Sequence, residues 1–323
     1  MKKLLTLLAL NITLCANAQI SAGGTNNSGP YSSAIGYQTT ASESYCTAMG
    51  YATTASGSTS TAMGVSTTAS GDGSTTMGNQ TTASGNNSTA MGANTIASGA
   101  NSTAMGVATI ASGSASKASG LSTTASGVNA TSMGFATIAS GNRSTSMGVA
   151  TIASDYASVV VGQYNSSGSS TTSSSSFSTS APAFVVGNGT NSSNKSDAFK
   201  VMFNGDATIS NNLTIMGDLE VQSDARLKSN IISLGSTLSK LSLIDGKSYE
   251  QKGKQKIGVL AQEIKEVFPE LVSENENEIL AVNYQGLIPI LINALKEQQS
   301  EIEIYRDEVS ELREIVQELA SRD

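Results

Sequence analysis

Few residues of this 323-residue chain could do covalent chemistry, and the shortage itself narrows the choice. With no His, a Ser-His-Asp triad, a Cys-His pair and a His-ligated metal are excluded. The two Cys, Cys15 and Cys46, rule out a cysteine zinc cluster and allow at most one disulfide. No metal or other cofactor is expected. One short stretch, Ser223-Asp-Ala-Arg-Leu-Lys228, places a serine five residues before a lysine. A serine hydroxyl is a poor nucleophile until a base takes its proton. In a chain without His, a Lys of lowered pKa is a workable base, and a neighbouring cation such as Arg226 would help lower it. Five residues can close across a turn. The Ser-Asp pair suits a helix N-cap equally well, and these six residues alone do not choose between the two readings.

The elements that must carry this stretch divide at Ser223. From Ser223 to Asp323 there are 12 Lys+Arg and 18 Asp+Glu, a balance of -6 (12 - 18), out of -7 for the whole chain. The last third therefore has an ordinary globular and helical composition. Between Gln19 and Gly162 only Glu43, Asp72, Lys117, Arg143 and Asp155 are charged. The negative balance excludes a nucleic-acid binder, since nothing would neutralise phosphates.

The N-terminus reads as an export signal, residues 1–18. Lys2 and Lys3 precede a mainly apolar run, Leu4 to Leu14, too short to span a bilayer, and Ala16-Asn17-Ala18 has the spacing of a signal-peptidase site. Cleavage after Ala18 removes Cys15 and leaves Cys46 without a partner. No later segment reads as a transmembrane span, so a secreted, cell-surface or extracellular product is expected. Residues 19–31 form a lead-in.

Residues 32–164 repeat. Glycine recurs at 36, 50, 64, 78, 92, 106, 120, 134, 148 and 162, and a second ladder runs through 57, 71, 85, 99, 113, 127 and 141, all at intervals of 14. Glu43 and Asp155 occupy the end positions of the second ladder. Each unit reads as Thr-Thr-Ala-Ser-Gly and Ser-Thr-Ala-Met-Gly with two residues after each, or two five-residue segments closed by glycine-led turns. Gly at this density breaks helices, whereas short Thr-rich segments suit strands, and positive φ is expected at the turn glycines. A short fixed period predicts a solenoid.

The pattern resembles the head repeats of YadA-type trimeric autotransporter adhesins. That resemblance implies a left-handed parallel β-roll and a homotrimer of rolls. Side chains this small make a thin core, which agrees with association of three. No segment of this sequence resembles that family's C-terminal membrane β-barrel anchor.

Residues 165–181 are a Ser-rich linker, with ten Ser between Asn165 and Ser180. Residues 182–222 hold short apolar segments, including Ala183–Gly187, Ala198–Gly205, Ala207–Ser210, Leu213–Gly217 and Leu219–Val221. They predict a β shaft that looks like those of phage tail fibres.

Residues 223–287 contain Ser223-Asp-Ala-Arg-Leu-Lys-Ser-Asn-Ile231, Gly258-Val-Leu-Ala-Gln-Glu-Ile264, Phe268-Pro-Glu-Leu-Val272 and Val282-Asn-Tyr-Gln-Gly-Leu-Ile288. Together they resemble the endosialidase-type intramolecular chaperone, peptidase family S74. The resemblance implies a trimer that guides the preceding fibre to fold and then cuts itself off between Gln222 and Ser223. On that reading Ser223 is the nucleophile and Lys228 the base, with Asp224, Arg226 and Asn230 completing the motif.

Residues 288–323 carry an a/d seam at 288, 291, 295, 298, 302, 305, 309, 312, 316 and 319, apolar except for Gln298, with Glu297, Glu301, Arg306 and Arg313 outside it. The seam does not choose between two strands and three; the two resemblances agree on three. The fold expected is thus mainly β, a β-roll and short-strand shaft followed by an α+β chaperone ending in a trimeric coiled coil. The function expected is an adhesin-like trimeric fibre with a host-cell, matrix or glycan ligand. The alternative is a tail-fibre-like fibre that binds a receptor or degrades polysaccharide, for which the head offers only Glu43, Asp72 and Asp155.

Overall fold

A computed structural model describes residues 23–275 and 278–321. The signal segment 1–18 lies outside the described residues. Two compact units divide after Gly217.

In the first unit each 14-residue repeat forms one coil of a parallel β-solenoid of about ten turns. A coil holds one five-residue strand, such as Thr47–Tyr51, and one two-residue strand, such as Thr54–Ala55. This differs from two equal five-residue segments: the first-ladder glycine lies inside the long strand rather than in a turn. Like pairs with like across coils, Thr47 with Thr61, Met49 with Met63 and Gly50 with Gly64.

Alternation along each strand sends Ala48 and Ala55 inward, with Thr53 and Ser60 completing the interior; all four are fully buried. The core is thus four columns of Ala, Thr and Ser stacked along the axis. Where Ser replaces the strand Ala, at 132 and 146, its hydroxyl lies 2.8 Å from the Thr137 or Thr151 hydroxyl.

The two glycine ladders answer different needs. Gly64 has φ 120°, and a Cβ there would overlap the carbonyl oxygen of Gly78 one coil on. Gly57 in the second ladder does not have positive φ; its glycine is required by close approach alone, since a Cβ would overlap the Gly71 carbonyl. The left-handed positions are instead two residues after each ladder glycine, at Ala52 (φ 51°) and Thr59 (φ 57°). Expecting positive φ at every turn glycine was therefore right for one ladder only. Steric crowding between coils, not turn shape, selects glycine in the other.

Asp155 stands where the second ladder has no following coil, so its side chain has room. It is fully buried, and its Oδ1 accepts from the backbone N–H groups of Thr172 (2.6 Å) and Ser173 (2.7 Å). Asn165, also buried, bonds both the N–H and the C=O of Ile152. Asp197 accepts from Ser166 N and Ser167 N. The Ser-rich segment is thereby fastened over the last coil rather than loose as expected.

The long-strand sheet continues through Pro182–Asn188, parallel to Val159–Gln163, and then through antiparallel Asp197–Met202 and Ala207–Ile209. The strands expected at 213–217 and 219–221 are not formed. A strand needs a neighbour to bond with, and these residues have none among the described residues: Met216 is 96% exposed, and Leu213, Leu219 and Val221 are exposed with it.

The second unit is small and α+β. It holds α1 (Leu238–Leu241), the hairpin Lys247–Gln251 with Lys254–Gly258, α2 (Ala261–Val267), a second hairpin Val272–Glu274 with Leu280–Val282, and the long α3 (Leu287–Ala320). Its core is Ile264, Phe268, Leu271 and Ile290. Pro289 sits in the first turn of α3, where its missing N–H costs nothing. The face Ile290, Ala294, Glu297 (steps of four and three) packs on the unit. Every seam residue from Ile288 to Leu319 is exposed.

Candidate functional site

The dyad candidates sit at the start of the second unit on a single 3-10 turn, Ala225–Leu227. Asp224 precedes it with extended backbone (φ -64°, ψ 133°), and its carboxylate accepts from Arg226 N at 2.8 Å. Asp224, not Ser223, is therefore the N-cap, which leaves the Ser223 hydroxyl free of that task. Lys228 closes the turn, its N–H donating to Ala225 O at 3.1 Å before the backbone turns extended (φ -119°). One tight turn between two extended residues folds the ends together: Lys228 Nζ donates to Ser223 Oγ across 2.7 Å. Both residues are exposed.

Arg226 is turned toward Asp224. Its guanidinium grips Asp224 through Nε (3.1 and 3.0 Å) and Nη2 (2.6 Å). The Arg226 side chain, followed by its backbone N–H, holds the Asp224 carboxyl below its usual range, and Asp224 in turn raises Arg226. Its guanidinium is thus engaged at the cap. Gln222 and Ser223 line a shallow groove with Asp224, Arg226 and Leu227, so the bond between Gln222 and Ser223 is open to solvent. Asn230 takes a left-handed conformation (φ 52°), turning the chain just past the dyad.

Sequence reasoning placed Glu297 on the solvent face of the terminal helix. The structure instead makes it a junction: Oε1 accepts from Thr237 N (2.7 Å) and Thr237 Oγ1 (3.1 Å), and Oε2 from Ser236 Oγ (2.8 Å) and Leu238 N (3.1 Å). The N–H of Thr237 first, then the Ser236 hydroxyl, lower its pKa. No local signal could have disclosed a partner 60 residues away. Asp155 was detectable as a break in the glycine ladder.

The chain joins a parallel β-solenoid to an α+β unit that ends in one long helix with an exposed apolar stripe. Comparisons with known proteins agree. The YadA head domain repeat matches in overlapping copies within residues 28–165, and the chaperone of endosialidase family, Peptidase S74, matches residues 223–273. The long tail fibre protein Gp37 of Escherichia phage AR1 is 35% identical over 96 residues, 26% of this chain and 9% of that protein. The corresponding protein of Salmonella phage S16 is 29% identical over 112 residues, 31% of this chain and 15% of its own. That of Enterobacteria phage K3 is 36% identical over 87 residues, 24% and 7%. The chain spans well under a fifth of the length of these relatives. The chain is thus similar to YadA head repeats over residues 28–165, to the endosialidase chaperone family over residues 223–273, and to phage long tail fibre proteins over about a quarter to a third of its length. Among the described residues no helix is long and apolar enough to cross a membrane.

Proposed function

We propose that this chain is a secreted, surface-exposed homotrimeric fibre with an adhesin-like head. Its C-terminal unit trimerises the chains and is then released by one self-cleavage between Gln222 and Ser223. The observation that carries the proposal is the 2.7 Å contact between Lys228 Nζ and Ser223 Oγ beside an exposed scissile bond.

The chemistry balances with water as the only co-reactant. Ser223 Oγ adds to the Gln222 carbonyl carbon while its proton passes to Lys228 Nζ, which must start neutral. The tetrahedral intermediate expels the Ser223 amide nitrogen, which takes that proton, leaving Gln222 esterified to Ser223 Oγ. Water hydrolyses the ester, giving the Gln222 carboxylate and a free N-terminal Ser223.

Support for three chains comes from apolar surface. The seam from Ile288 to Leu319 is uncovered, as are Leu227, Ile231 and Ile232, and an exposed Met49, Met77, Met105, Met133 column runs along the head. A helical seam brings chains into register through local structure, which is faster than waiting for long-range β pairing. Removing that unit afterwards leaves the fibre kinetically trapped. The head's ligand on this reading is a host-cell, matrix or glycan surface. Polysaccharide cleavage is disfavoured because Asp155, one of the head's three acids, is buried and bound to backbone amides.

The test is expression of the full chain followed by a denaturing gel. Two fragments parting at Ser223 are expected; a single full-length band, unchanged in Ser223→Ala, would overturn the self-cleavage.

A further inference from the structure

We infer that Glu297 is a positioning residue for the self-cleavage, holding the chain downstream of the dyad against the helix that carries the trimer seam. The inference rests on the function proposed above.

Between Lys228 and Ser236 the chain has no regular element, and Leu227, Ile231 and Ile232 are exposed. Left to itself such a segment samples many conformations, and a dyad on it has no fixed relation to the rest of the unit. Its downstream end, however, is stapled to α3. The single Thr237 hydroxyl proton is shared between Glu297 Oε1 (3.1 Å) and Ile290 O (3.3 Å), and Asn293 Nδ2 donates to Leu234 O at 3.4 Å. Thr237 is 3% exposed, so its hydroxyl sits out of water at the centre of this junction.

Both carboxylate oxygens accept, and every partner donates. Each oxygen faces one backbone N–H, which can only donate, so the pattern favours a carboxylate: Gln at 297 would turn its N–H2 toward one of those two N–H groups. Glu297 lies between seam residues Leu295 and Gln298. Chains that meet at the seam thus fix the helix that fixes this end of the cleavage segment. Exposed Leu227, Ile231 and Ile232 are then presented at a defined place for burial.

The experiment compares the full chain with Glu297→Gln and with the milder Ser236→Ala, which removes one bond. Cleavage is followed on denaturing gels, mass by sedimentation and protection of the Thr237 and Leu238 amides by hydrogen exchange. Glu297→Gln should stay trimeric, lose that protection and cleave about tenfold slower. Ser236→Ala should slow cleavage less, and the double variant should be no slower than Glu297→Gln alone, because both act through one carboxylate. Should Glu297→Gln fail to fold, a Ser236→Ala chain that cleaves at the wild-type rate with unchanged protection overturns the inference. A trimeric Glu297→Gln chain that cleaves at the wild-type rate overturns it while leaving the dyad standing. A wild-type chain that never cleaves removes both.

Discussion

Lys228 Nζ meets Ser223 Oγ at 2.7 Å because Asp224, and not Ser223, caps the intervening turn. The cap and the proposed nucleophile are adjacent residues, so substitutions should separate their effects. Ser223→Ala removes the attacking oxygen and should abolish cleavage with the fold intact. Lys228→Met should do the same. Asp224→Asn keeps an acceptor for Arg226 N but loses the ion pair, and should slow cleavage without stopping it. Time courses on denaturing gels distinguish the three, and a fully active Lys228→Met chain would refute Lys228 as base.

A ladder glycine and a turn glycine nine residues on, Gly64 and Gly73, make a contrast of two substitutions. Gly64→Ala combines positive φ with overlap onto the Gly78 carbonyl, and backbone cannot step aside. It should cost on the order of 3 kcal/mol. Gly73 has φ 66° and would meet only the movable Asn87 side-chain oxygen at 2.6 Å. Asn already occupies the equivalent left-handed positions at 87, 101 and 129, so Gly73→Asn should lie within about 1 kcal/mol of wild type. Thermal melting of the head reads both.

Inside the coil, the Thr109 hydroxyl is fully buried and has no hydrogen-bond partner among the described residues. Val keeps the shape and drops the unmet polar group. Thr109→Val is expected to stabilise the head by about 1 kcal/mol. A lower melting temperature would mean that the hydroxyl is satisfied in solution.

The proposed trimer depends on the exposed seam of α3. Leu312, 59% exposed in the single chain, should be buried by its copies. Leu312→Asp puts three carboxylates into that seam and should shift the sedimenting species from trimer toward monomer at micromolar concentration. The C-terminal unit itself should remain folded, because its core at Ile264, Phe268, Leu271 and Ile290 lies elsewhere.

The hydrogen bonds to Glu297, first from Thr237 N and then from Ser236, depress its pKa, which fixes the sign of a pH effect. A depressed carboxyl contributes stability that is complete above the ordinary value of about 4.3 and is lost as pH falls through the lowered folded value. Melting of the C-terminal unit should therefore decline on acidification in that window. The decline should be shallower in Glu297→Gln. Identical pH profiles for the two would show that the carboxylate is not held as described.

The sequence by itself determined whatever repeats or alternates. Intervals of 14 required a solenoid because each coil must offer the next an identical edge, and steps of three and four wrote the seam of α3 into residues 288–319. The nearness of Ser223 and Lys228 was also legible, being a contact within five residues. Tertiary structure decided what depends on distant neighbours. It showed that Gly57 answers to crowding from the next coil rather than to turn shape, and that the segment 165–181 is fastened through Asn165 to Ile152 and through backbone N–H groups to Asp155 and Asp197. It turned Glu297 from a surface charge into the anchor of Thr237, 60 residues earlier. Local periodicity records which face a residue presents, but which partner meets that face is settled only when separate stretches of chain pack together.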